Sequence, residues 1–324
     1  MPNARLAAYT LAKIRNAKVV SRPYPHVYIQ DVFSPSFYPC MLARLPRKPP
    51  RGNVTSVGGQ STSSSVEVSA NGTAKAAIHI EQADQDAEDP QSPPADLKNT
   101  SKDVGNQTID VDVAANREVA LRAISGYNQL GSKISKRFVI QLLPKGAPKP
   151  KKPAPNPKGY DAKFWQSFSN HFATPALAHA WVQKFKSTVN KRFSSKRTRA
   201  SYTYRMDLSR DISGYSIGPH SDTEMKWVTT LYYLPPTAED SDVGTAVIQS
   251  LTGSLQKTGA QHKKWGPNWK IAYRAPYTPN SVLAFAPCWS SWHGVPPMRE
   301  GVIRDTIQGF VRSSLRVTKS SCGK

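Results

Sequence analysis

The chain of 324 residues carries 44 Lys and Arg against 22 Asp and Glu, a net charge of +22 with a pI of about 10.0. It is long enough to bury a sizeable core, and no run approaches the roughly 18 apolar residues that a membrane-spanning helix needs. Its three cysteines, Cys40, Cys288 and Cys322, are odd in number and show no CxxC spacing, which argues against a disulfide framework or a structural zinc site and suits a reducing, cytoplasmic setting.

Residues 4–18 (ARLAAYTLAKIRNAK) are good helix formers and predict a short helix. The first thirty residues hold five basic side chains and no acid, but too little serine for an organelle transit peptide. In PYPHVYIQDVF, Val27, Ile29 and Val32 predict an edge strand, and Ser34-Pro35 starts a second helix, FYPCMLARLP, which completes an opening segment over residues 1–50. Residues 51–115 differ sharply: they hold no aromatic residue and, from Glu67 to Asp112, ten acids against three lysines. Such a stretch cannot bury enough apolar surface to offset chain entropy, and it reads as a partly disordered insertion, with SVEVS and AAIHI as a candidate hairpin.

Residues 116–200 form a basic, helical support region. NREVALRAISGYNQL has helical spacing, KRFVIQLLP (136–144) reads as a strand, and KGAPKPKKPAPNPKG as an extended linker. Two helical blocks follow, with Phe164, Trp165, Phe168, Phe172, Leu177, Trp181, Phe185, Val189 and Phe193 recurring at the helical period, as a core stripe does. His171 and His179 lie within that stripe and are not read as ligands. From Gly131 to Ala200 there are sixteen Lys and Arg and a single acid, Asp161. After residue 200 the apolar period changes to two. YTYRMDL, GYSIGPH, KWVTTLYYLP, GTAVIQS, WKIAYRA, SVLAFAP, SWHGVPP and RDTIQGFVRSS are eight strand-like runs separated by turn residues. The fold class expected is α+β: a jelly-roll core over 201–316 with N-terminal helices packed on it, then a flexible tail at 317–324.

Within this core, His220-Ser221-Asp222 follows the strand GYSIGP. Residues two apart on a strand share a face, so an imidazole and a carboxylate there can grip one ion. His293, in SSWHGVPP, comes from a distant strand. Two histidines and one carboxylate on one face leave three coordination positions open, the facial triad of non-haem Fe(II) oxygenases. HxD on its own is a weak motif, and the surrounding residues strengthen it. Arg304 and Thr306 in VIRDTIQGF project on one face of the next strand, and a buried arginine fork there needs an anion, for which a dicarboxylate's distal carboxylate is suitable. The plainer partners for Arg304 are Asp305 or Glu300. VTTLYYLP ends in two tyrosines, either of which could donate a hydrogen bond to the same carboxylate or simply pack.

GYSIGPHSD, VTTLYYLP, Gly244-Thr245, SVLAFAPCWSSWHGV and RDTIQGF together resemble the 2-oxoglutarate/Fe(II) dioxygenase superfamily, on its prolyl-hydroxylase-like side, over residues 203–313. PYPHVYIQDVFSPSFYPCMLARLP resembles the opening segment of bacterial members. The resemblance implies a double-stranded β-helix, iron ligation by His220, Asp222 and His293, and pairing of Arg304 with the cosubstrate C5 carboxylate, assisted by Thr306. It implies Tyr233 as a further contact to that carboxylate, with Tyr204 a looser candidate. It implies Fe(II), 2-oxoglutarate and O₂ as requirements, with ascorbate a further candidate, and hydroxylation of a C–H bond with release of succinate and CO₂. The insertion at 51–115 and the stretch QKTGAQHKKWGPNWK have no counterpart in that pattern and leave the substrate open: a protein side chain or a small metabolite, with the basic charge pointing to an anionic one. Two alternatives stand beside this reading. Trp165, Trp181 and Phe193 within the basic block could dock nucleic acid, as in base-demethylating relatives, with binding that falls steeply as salt rises. A basic jelly roll could also be a non-catalytic binding protein, although such a protein has no use for three metal ligands and an arginine.

Overall fold

The computed structural model describes residues 3–46, 136–146, 160–193, 201–313 and 318–322. The expected insertion at 51–115, its candidate hairpin, the helix at 116–130 and most of the Pro/Lys stretch lie outside the described residues.

The described elements mix helices with antiparallel strands. The N-terminal helix α1 is Asn3–Asn16, strand β1 is His26–Ile29 and a short helix α2 is Tyr38–Leu42. Strand β2 (Arg137–Leu142) is followed by α3 (Ala162–Phe172), α4 (Pro175–Lys184) and α5 (Lys186–Phe193). Asp161 caps α3 by accepting from Phe164 N–H, and Thr174 caps α4 by accepting from Leu177 N–H, with Pro175 at the first turn. Each such cap is worth roughly 1 kcal/mol. The eight expected strands follow: β3 (Thr203–Asp211), β4 (Ile217–His220), β5 (Lys226–Tyr233), β6 (Ala246–Ser250), β7 (Trp269–Arg274), β8 (Ser281–Phe285), β9 (His293–Val295) and β10 (Arg304–Arg312).

The strands form two antiparallel sheets, one ordered β1-β8-β5-β10-β3-β2 and one ordered β4-β9-β6-β7. β1 is an edge strand, as its sequence suggested. The larger sheet is covered on one side by helices, with α4 lying across β3, β5 and β10. Trp165, Phe168, Phe172, Leu177, Trp181, Phe185 and Val189 are buried there against Met206, Leu208, Tyr232, Ile307 and Val311. Trp165 and Trp181 are fully enclosed, so neither can stack on a nucleotide base. A second cluster joins Leu231, Tyr233, Leu283 and Phe285 of the larger sheet to Val247 and Val295 of the smaller. Alternation along each strand therefore sends odd and even residues to different environments.

Two expectations fail at the C-terminal end. Residues 318–322 are not a free tail: Trp289 N–H donates to Ser320 O at 3.0 Å and the Trp289 indole donates to Lys319 O. Nor are the thiols all unpaired, because the same packing brings Cys322 beside Cys288 and the two form a disulfide. Cys40 is the exposed free thiol. An odd count of cysteines excludes complete pairing but not one pair.

Candidate metal centre

The register of β4 against β9 places His220 directly opposite His293, which is how two histidines far apart in the chain meet. Asp222 follows two residues after His220. One ligand atom from each of the three lies within 4.8 Å of the others, and all three residues are buried. His293 Nε2 is 3.8 Å from Asp222 Oδ2.

Backbone carbonyls orient both rings. His220 Nδ1 lies 2.9 Å from Gly218 O and His293 Nδ1 lies 3.0 Å from Ser291 O. Only a donor satisfies a carbonyl, so Nδ1 carries the hydrogen in each ring and the Nε2 lone pairs face the common point. Burial lowers the pKa of both histidines, against the pull of Asp222, so both imidazoles are neutral near pH 7. Burial alone would push the Asp222 carboxyl up, but Lys226, His293 and His220 together hold it below the usual range. Asp222 also accepts from Thr229 Oγ1 at 2.5 Å and pairs with Lys226. Neutral imidazoles and an ionised carboxylate are the state a divalent cation requires. The donor set thus fits iron(II): two nitrogens and one oxygen, no thiolate, one open side.

The triad opens into a cavity of about 200 Å³, which Arg304 on β10 also lines. Arg304 is 1% exposed. Its expected plain partners are not the ones found: Asp305 is held bidentately by Arg210 on the helix side, at 2.7 and 2.8 Å. Instead, strand register lines up Arg304, Asp211 and Arg137 in one row across β10, β3 and β2. Arg304 donates to Asp211 Oδ2 at 2.7 Å and to Thr245 Oγ1 at 2.9 Å. Arg137 donates to both oxygens of Asp211 and stacks on the Tyr215 ring at 4.3 Å. The guanidiniums of Arg304 and Arg137 share the Asp211 carboxylate. Arg304 Nε and Thr306 Oγ1 are buried without a hydrogen-bond partner. Thr306 lies between the two cavity-lining positions Arg304 and Gln308 of the same strand face. A buried guanidinium with two unsatisfied donors at hand fits a carboxylate.

The tyrosines separate. Tyr233 is buried beside Arg304, whose guanidinium carbon is 5.4 Å from its ring centre, and its oxygen accepts from Thr245 N–H at 3.0 Å. Tyr204 is not brought to the cavity. It shares a strand face with Met206 and Leu208, toward the helices, where its hydroxyl meets Thr230 at 2.8 Å and Tyr232 at 3.0 Å. Trp292 packs with Trp265 and Trp269 and does not line the cavity.

Several contributors were not singled out from sequence. Asp211, Arg137, Thr245 and Lys226 border the site through register or loop contacts. His262, in the β6–β7 loop that read as individual to this chain, stacks on His220 with ring centres 4.3 Å apart. That loop is pinned to β4 by a Lys263 N–H to Pro219 O bond of 2.8 Å. A side chain at Gly218 would put its Cβ 1.8 Å from Lys263 O, so only glycine permits this approach. Gly244-Thr245 is one of the stretches that carry the resemblance, which named Thr245 without giving it a role.

No protein-family model and no curated protein matches the chain. Similar solved structures include an oxidoreductase of the 2OG-Fe(II) oxygenase family from Burkholderia pseudomallei, at 13% identity over 64% of this chain and 82% of that one, with a TM-score of 0.31. A prolyl-4-hydroxylase from Pseudomonas putida is similar at 12% identity over 62% and 88% of the two chains, with a TM-score of 0.31. A prolyl hydroxylase from Trichoplax adhaerens, solved with a hypoxia inducible factor peptide, is similar at 11% identity over 61% and 78%, also at 0.31. Similarity at this level carries no weight beside the geometry of the site. Among the described residues no helix is long and apolar enough to cross a membrane.

Proposed function

We propose that this chain is an iron(II)- and 2-oxoglutarate-dependent hydroxylase with the two sheets acting as a double-stranded β-helix. The observation that carries the reading is the convergence of His220, Asp222 and His293 on a cavity that is also lined by a buried arginine with an unpartnered Nε. Bound iron and 2-oxoglutarate would supply the oxidising chemistry: O₂ is consumed, the keto acid becomes succinate and CO₂, and a substrate C–H becomes C–OH.

The chain's own residues do the rest. Gly218 O and Ser291 O lock the two imidazoles so that Nε2, not Nδ1, meets the metal. Asp222 lowers the charge of the cation, and Thr229 holds its second oxygen. Arg304, steadied by Asp211 and Thr245, fixes the far carboxylate of the keto acid, and Thr306 donates to it. Tyr233 shapes that end. Leu231, Val295 and Phe310 line the remaining wall and limit water. The substrate enters from the side bordered by Lys226 and His262.

The test is an anaerobic titration with iron(II) and 2-oxoglutarate, followed by succinate measurement on admission of air. The wild type binds both and releases succinate. Asp222→Ala keeps its fold by circular dichroism and loses iron binding and succinate release. Retention of iron affinity in Asp222→Ala, or no iron binding by the wild type, would overturn the reading.

A further inference from the structure

Beneath the metal-binding loop lies an ammonium group that the chemistry above does not use. Lys319 is 1% exposed. Its Nζ donates to Asp222 O at 2.8 Å, to Ser221 Oγ at 3.2 Å and to Gly259 O at 3.3 Å. An ammonium has three donors, and here one group ties the loop bearing Asp222 to the β6–β7 loop that carries His262. The Lys319 side chain reaches this place from residues 318–322, which contain no helix or strand. What holds that segment is its pair of contacts with Trp289 and the Cys288–Cys322 disulfide. Cys288 is itself part of the same floor: its carbonyl accepts from Ser221 Oγ at 2.9 Å, and its N–H donates to Ser291 Oγ at 2.9 Å. Ser291 O in turn orients His293.

We propose that residues 318–322 form a strap that sets the affinity of the iron site, with Lys319 as its positioning residue and the Cys288–Cys322 disulfide as its lock. This rests on the iron reading of the site. The disulfide opens when a dithiol reduces it: the sulfur–sulfur bond accepts two electrons and two protons to give two thiols, and the dithiol closes to its own disulfide. An unlocked strap regains chain entropy, and its buried ammonium gains water when it leaves. Without it, the Asp222 carbonyl and Ser221 hydroxyl lose their shared donor, and the backbone that carries the Asp222 carboxylate is less firmly fixed against the two histidines.

The experiment is a cobalt(II) titration of the full chain, read by visible absorption, with thiol counting to confirm the state of the disulfide and thermal melting to confirm folding. Lys319→Met with its disulfide intact, and Cys322→Ser without it, should each weaken cobalt binding by roughly 10–100-fold, the range for groups that orient metal ligands. The double variant should be no weaker than the worse single one, because both act through one strap. Lys319→Arg should recover part of the affinity. A purely structural role would lower the melting temperature without this non-additivity or this rescue. Equal cobalt affinity in wild type and Cys322→Ser overturns the lock, and equal affinity in Lys319→Met overturns the positioning role. Failure of the wild type to bind cobalt defeats the iron reading itself, and the strap proposal falls with it.

Discussion

The two faces of the six-stranded sheet are built from the same strands and do opposite things with polar groups. On the helix side every hydroxyl of the Tyr204, Tyr232 and Thr230 cluster meets another, and the Trp181 indole donates to Tyr232 at 3.2 Å. Gly309 makes room, since a Cβ there would sit 2.6 Å from the Tyr204 oxygen. On the cavity side, Arg304 Nε and Thr306 Oγ1 are buried and unsatisfied, next to the row of Arg304, Asp211 and Arg137. A closed polar network rigidifies a core, whereas an open one is costly unless something binds to it. The difference teaches that the helix side holds the fold together and the cavity side is shaped for a ligand.

Substitutions on the two sides should therefore separate stability from binding. The largest effect is expected on the helix side, where Trp181→Ala removes a fully buried ring and should cost about 3–5 kcal/mol in denaturant unfolding. If that variant folds, its 2-oxoglutarate affinity should be near that of the wild type. Arg304→Ala comes next. It should weaken 2-oxoglutarate binding by about 2–3 kcal/mol, or roughly 30–150-fold in calorimetry, while cobalt or iron affinity holds. It should also destabilise the fold, because the buried Asp211 loses one of its counter-charges. Unchanged keto-acid affinity in Arg304→Ala would mean that the anion site lies elsewhere. A matched pair sharpens the contrast. Thr306→Val and Tyr204→Phe each delete one hydroxyl, and each should change its own property by about 1 kcal/mol: binding for Thr306, stability for Tyr204. A binding loss in Tyr204→Phe would break the division between the faces.

The smallest predicted difference is in pH dependence. On the cavity side, burial holds His220 and His293 below the ordinary 6.5, so below that pH the unfolded chain takes up protons that the metal-free folded chain refuses. Stability then falls on acidification. On the helix side, burial pushes the Tyr232 phenol up to about 12 from 10.0, so between these values the unfolded chain loses protons first and stability falls as pH rises. Tyr232→Phe should make the alkaline limb of a melting-temperature profile shallower, other buried phenols keeping the rest of it, and leave the acid limb in place.

Much of this was legible in the sequence because strand periodicity is a local signal. The eight runs after residue 200, the HxD pair and the shared face of Arg304 and Thr306 all follow from alternation. What was not legible depends on register between strands. Asp211 becomes the counter-ion of Arg304 only because β3 and β10 pair with those two residues opposite each other. Once Asp211 is placed on the cavity-side face of β3, Tyr204, an odd number of positions away on the same strand, must face the helices, which removes it from the site. Arg137 joins the row from a strand far earlier in the chain. The Cys288–Cys322 bond and the burial of Lys319 rest on a loop meeting a segment without periodicity, and no spacing rule announces that.

The pairing of His220 with His293 across two short strands makes metal affinity a proofreading device for assembly. A shift of β9 by one residue would turn His293 to the other side of its sheet and leave an incomplete ligand set. An ion that binds only the aligned pairing draws misaligned chains toward it by mass action. A refolded preparation that takes up a full equivalent of cobalt is therefore one whose small sheet is in register.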